Sequence, residues 1–129
     1  MATWDGLRSY IKSNYVVSAE EPGTLGLDFA FDDGRSQKVI VSKLMLGDAE
    51  WVEIATPICQ ESELAPRDAM LRNGQMIVGG LAMDGDGMVY FRHSLPLKDL
   101  DLDEFEVPFH LAVGFGDQLE QEIVGVNRY

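Results

Sequence analysis

With 129 residues, 46% of them hydrophobic and 25% charged, the chain has the length and composition of a single soluble domain, and one continuous core across 1-129 is expected. Its formal charge of −12 argues against nucleic acid, whose phosphates attract cations, and against anionic membranes. No run approaches the roughly 20 apolar residues of a membrane span; Met1 to Asp5 has neither a basic n-region nor an apolar h-region, and Cys59 is the only cysteine, so a cytoplasmic protein without disulfides is the default.

Thr3 can cap a first helix in which Trp4, Leu7 and Ile11 share one face, with Tyr10 beside them and Asn14 as the stop. Tyr15 to Glu20 reads as a modest strand, closed by the turn signal Glu21-Pro22-Gly23. Thr24 to Asp32 alternates cleanly, placing Leu25, Leu27, Phe29 and Phe31 on one side, as in an antiparallel sheet with one wet face. After Asp33-Gly34-Arg35-Ser36, the segment Lys38 to Leu46 is apolar on both faces and reads as a more central strand. Gly47-Asp48 turns the chain into Trp51 to Ile58, which alternates again, so strands two to four form a meander.

From Glu61 to Asn73 the pattern gives a short helix or turn that Gly74 should stop. Met76 to Met83 and Met88 to Leu95 then form a hairpin about Asp84-Gly85-Asp86-Gly87, whose glycines tolerate positive φ. Asp101 followed by Glu104 matches a capping box, and Phe105, Phe109, Ala112, Gly116, Leu119 and Ile123 follow at helical spacing. Val107, Phe109, Leu111, Val113 and Phe115 also alternate as a strand would, and Pro108, Gly114 and Gly116 weaken a helix; the cap favours the helix, with a kink or late start at Pro108. The expected fold is therefore α+β, an antiparallel sheet with helices on one face, in the order α-β-β-β-β-α-β-β-α.

Chemistry-bearing patterns are sparse. His93 and His110 are isolated, no HExxH, CxxC or paired histidine occurs, and no metal or cofactor is expected. Cys59 reads as a buried thiol rather than a nucleophile, and Asp84 to Gly87 as a turn rather than a calcium loop, because the spaced third ligand and terminal Glu are missing. Gly114-Phe115-Gly116 follows no strand, which disfavours a phosphate loop. Trp4, Tyr10, Phe29 and Phe31 could form an aromatic surface, although their spacing also suits a core. From Asp99 to Val126 there are eight acidic residues and no Lys or Arg, a solvated face or a surface that meets basic or amphipathic polypeptide.

Leu71-Arg72-Asn73-Gly74, the strand pair, and Phe91-Arg92-His93-Ser94-Leu95-Pro96-Leu97 leading into Leu100 to Phe105 resemble the C-terminal half of the YbjN family, described as bacterial sensory transduction regulators. That family's fold is similar to that of type III secretion chaperones, and the resemblance extends over most of the chain in element order but only over Leu71 to Phe105 in residues. It departs at Pro108, Gly114 and Gly116, where the family tends to continue its last helix with alanine and leucine.

The resemblance implies a domain that binds polypeptide, often as a homodimer, with no catalytic residues to carry over. The expected function is a non-enzymatic, chaperone-like or regulatory protein-binding module, and Trp4, Leu7 and Ile11 are the candidate peptide-binding residues, in a helix that lies near client in secretion chaperones. Simple burial onto the sheet is the reading their spacing favours. The alternative function is a small-molecule-sensing domain with a pocket between the sheet and the C-terminal helix.

Overall fold

A computed structural model describes residues 3–125, so the leader reading of Met1 and Ala2 lies outside the described residues, as does Val126. The chain runs α1 (Trp4–Asn14), β1 (Val17–Glu21), β2 (Thr24–Ala30), β3 (Ser36–Leu46), β4 (Ala49–Gln60), a 3-10 turn (Glu61–Glu63), α2 (Pro66–Gln75), β5 (Gly80–Met83), β6 (Met88–Pro96), a second 3-10 turn (Leu102–Phe105) and α3 (Glu106–Ile123). The strands make one antiparallel sheet in the order β1-β2-β3-β4-β6-β5. The architecture is the expected α+β one.

Strand alternation sets the layers. Leu25 and Leu27 of β2, Val39 and Val41 of β3, Val52 and Ile54 of β4, and Phe91 of β6 are buried on the inner face, where α1 and α3 cover them. Trp4, Leu7 and Ile11 of α1 and Phe105, Phe109, Ala112, Val113 and Leu119 of the last helical segment complete that core. Burying each large side chain contributes about 1.5–3 kcal/mol, which exceeds what helix propensity alone supplies. Among the described residues, no helix lies on the opposite face of the sheet.

Local chemistry fixes the ends. The Thr3 hydroxyl accepts from the Gly6 N–H at 3.2 Å and starts α1. In the β5–β6 turn Asp84 Oδ1 accepts from the N–H groups of Asp86 (2.9 Å) and Met88 (3.0 Å), which pins the turn backbone.

Four expectations change. The Asp101–Glu104 capping box does not form: the Glu104 N–H bonds to the Asp101 main-chain carbonyl at 2.9 Å in a 3-10 turn, and α3 begins at Glu106. Pro108 then occupies the third helical position, where an N–H would have no acceptor within the helix. The helix reading of Val107 to Phe115 holds, with the late start rather than a kink. Gly74 does not stop α2, which continues to Gln75 before the Met76 N–H reaches the Asn73 carbonyl at 3.2 Å. The strand drawn from Met76 shrinks to Gly80–Met83, and 76–79 becomes a connection.

The fourth change concerns β3, whose apolar pattern suggested burial on both sides. Gln37, Val39 and Val41 are buried, but Leu44, Met45 and Leu46 are exposed. It is β4, flanked by β3 and β6, that is buried on both faces through 54–59.

Candidate functional site

The three residues singled out on α1 lie in the core: Trp4 is 6% exposed, and Leu7 and Ile11 are fully enclosed. Polar contacts hold the same helix down. Arg8 and Lys12 both meet Glu20 of β1, and hydrogen bonding from Lys12, assisted by Arg8, keeps the Glu20 carboxyl below its ordinary value. The hydroxyls of Tyr10 and Tyr15 donate to the Glu106 carboxylate, and His110 Nε2 lies 3.1 Å from it. Burial alone would raise the Glu106 carboxyl, but the two phenol donors and His110 bring it below its usual range. Tyr15 is pushed upward, first by burial and then by its bond to Glu106.

The other chemistry-bearing residues do not converge. Cys59 is buried, His93 is half-buried on the inner sheet face with its imidazole pulled down by burial, and His110 belongs to the Glu106 cluster. Among the described residues no group of three or more His, Cys, Asp or Glu could hold a metal ion, and no helix is long and apolar enough to cross a membrane.

An open cavity of about 480 Å³ lies instead between α3 and the connection 76–79. Its walls are Met76, Ile77 and Val78 on one side and Leu111, Phe115 and Leu119 on the other, with Phe91 of β6 as its floor. Phe91 and Phe115 meet edge to face, centroids 5.7 Å apart. Gly79 brings the connection this close: at φ +70°, a side chain there would be strained, and a Cβ would sit 2.7 Å from both the Arg92 carbonyl oxygen and the Phe91 ring. At the rim Arg72 Nη1 pairs with Glu122 Oε2 at 2.8 Å.

The apolar lining is only partly covered. Leu111 and Phe115 are more than a third exposed, Val107 two-thirds, and Ile77 is 100% exposed. Fully burying a solvated isoleucine of this kind is worth about 1.5–3 kcal/mol. A pocket between the sheet and the last helix was the alternative expectation; this groove lies between α3 and the connection 76–79, with Ile77 and a second, lateral apolar row of α3 along it. The i, i+4 spacing of Val107, Leu111 and Phe115, beside the buried stripe, was the available signal.

No family model and no curated protein matches the chain. Solved structures do. A chain of the HopA1–SchA chaperone–effector complex aligns with a TM-score of 0.63 at 12% identity, covering 89% of this chain and 90% of that one. YbjN of E. coli, a candidate transcription regulator, aligns with a TM-score of 0.55 at 15% identity, covering 98% and 92%. The chain thus has the YbjN-like, type III secretion chaperone-like fold that Leu71 to Phe105 suggested.

Proposed function

We propose that this protein is a non-enzymatic, chaperone-like or regulatory binding module that takes an apolar stretch of a polypeptide partner into the groove between α3 and 76–79. The observation that carries the reading is the conjunction of an open apolar groove with the solvated Ile77 at its lip. Likeness to a chain of a chaperone–effector complex supports a polypeptide as the occupant. The engagement of Trp4, Leu7 and Ile11 in the core and of α1 with Glu20 and Glu106 favours the groove over α1 as the surface that meets it. Helix and loop side chains lining a groove supply affinity by burial and need no reactive group.

The test compares what wild-type protein and a Leu111→Asp variant retain from the native cell under mild conditions. A polypeptide retained by the first and lost by the second, with unchanged circular dichroism, is expected; identical retention by both overturns the groove as the site. Val107→Ser, at a more exposed position, gives the same comparison should Leu111→Asp unfold.

A cytoplasmic homodimer belongs to the same reading. What supports a second copy is the uncovered outer sheet face, where Leu44 and Leu46 stand exposed and Leu44 pairs across strands with Trp51. Sedimentation equilibrium should then give twice the 14.3 kDa chain mass.

The cavity also supports the second reading, a small-molecule sensor, since about 480 Å³ lies within the range of ligand pockets. A metabolite that raises the melting temperature of wild type but not of Phe115→Asp would favour it.

A further inference from the structure

The groove continues along α3 with a polarity. Glu104, Val107, Leu111, Phe115, Gln118 and Glu122 are spaced three, four, four, three and four residues apart, which places them on one side of the final turn and helix. Val107 to Phe115 forms an exposed apolar row about 12 Å long at the helical rise. Its two ends differ in charge. At the far end Glu122 is matched by Arg72 at 2.8 Å. At the near end Asp103 and Glu104 are exposed, and among the described residues neither forms an ion pair. The next carboxylate, Glu106, is already occupied by Tyr10, Tyr15 and His110.

We infer that the occupant is an amphipathic polypeptide segment whose apolar face lies along Val107, Leu111 and Phe115 and whose basic end sits over Asp103 and Glu104. This rests on the groove being the binding site. Two uncompensated carboxylates at one end of an apolar row fix which way such a segment lies, because reversing it would set its cations beside Arg72 and leave Asp103 and Glu104 facing apolar or neutral groups. The net charge of the whole chain, −12, disfavours an acidic segment in either direction.

The test uses two synthetic helical peptides with blocked termini, identical in their apolar positions at i, i+4 and i+8, one ending in Arg-Arg and the other in Glu-Glu. Binding is read by fluorescence anisotropy on wild type, Asp103→Lys/Glu104→Lys and Leu111→Asp. The inference expects wild type to prefer the Arg-ended peptide by about fivefold, as two exposed ion pairs allow. It expects the preference to shrink with added salt, and to invert in Asp103→Lys/Glu104→Lys. If both peptides bind wild type equally and Leu111→Asp abolishes both, the polarity is wrong while the groove stands. A preference that survives the double charge reversal also overturns the polarity. If neither peptide binds wild type, or Leu111→Asp changes nothing, the groove reading falls and this inference with it.

Discussion

Gly116→Ala should destabilise the protein, although alanine is the better helix former by about 1 kcal/mol. Gly116 is the point where α3 lies closest to β4: a Cβ built there would be 2.1 Å from Thr56 Cγ2 and 3.1 Å from Thr56 Oγ1. Carbon atoms need well over 3 Å, so α3 must withdraw by about 1 Å, or Thr56 must turn. Turning is resisted, because the Thr56 hydroxyl accepts from Gln37 Nε2 at 2.7 Å and donates to the Lys38 carbonyl at 2.6 Å, beneath the helix. Overpacking of this kind costs about 1–3 kcal/mol, and after the propensity gain a net loss of about 1.5 kcal/mol is expected. That corresponds to a fall in Tm of about 6 °C for a domain of this size. Gly114, two residues earlier, has nothing within 4 Å of its Cβ position, so Gly114→Ala should instead gain about 0.5–1 kcal/mol. Thr56→Ser removes the clashing methyl and keeps the hydroxyl; combined with Gly116→Ala it should recover about 1 kcal/mol relative to the sum of the single changes. Urea unfolding of the four variants measures all of this. Equal stability of Gly116→Ala and Gly114→Ala would refute the close α3–β4 contact on which the packing argument rests.

Further outcomes follow from the polar contacts. The Glu106 carboxyl lies below its ordinary value of 4.5 in the folded state, so its contribution to stability is present above that pH and lost as the pH falls through the depressed folded value. Glu106→Gln should flatten the acid limb of a stability–pH curve measured by urea midpoints. The Tyr15 phenol is shifted the other way from 10.0, so its contribution is present below that pH and lost as the pH rises above it; absorbance titration near 295 nm should show Tyr15 ionising late, and earlier in Glu106→Gln. Asn73 Oδ1 accepts from the Leu81 N–H at 2.7 Å and so closes part of the β5 edge; Asn73→Ala should cost about 1–2 kcal/mol and increase light scattering on heating as that edge opens.

Much of the fold could be read from particular residues. Thr3 before Trp4, Leu7 and Ile11 gave α1 its start and its buried face, and the alternation of Leu25, Leu27, Phe29 and Phe31 gave β2 its inner side. The stripe from Phe105 to Leu119 was legible because a buried helix face recurs at 3.6 residues whatever its neighbours. Failures came where local signals competed with tertiary geometry. The Asp101–Glu104 spacing fits a capping box, yet the 3-10 turn used the Glu104 N–H first. Gly74 was a plausible stop, but an exposed glycine in a last turn costs only about 1 kcal/mol, and α2 passes through it.

The site was less visible. Trp4, Leu7 and Ile11 carry a pattern that suits a core first and a binding face second, and in the fold they pack into the core. The groove depends on a connection, 76–79, whose apolar run looked like strand. Gly79 folds that run against Phe91 instead, leaving Ile77 outside; no periodicity encodes this.

Under the proposed function, polypeptide is met by α3 and 76–79 rather than by α1. Methyl chemical shifts, recorded while the Arg-ended amphipathic peptide is titrated into wild-type protein, test it most directly. Large shifts at Ile77, Val78, Val107 and Leu111 with Leu7 and Ile11 unmoved are the predicted result. Shifts centred on Leu7 and Ile11, with the groove methyls unmoved, would contradict it.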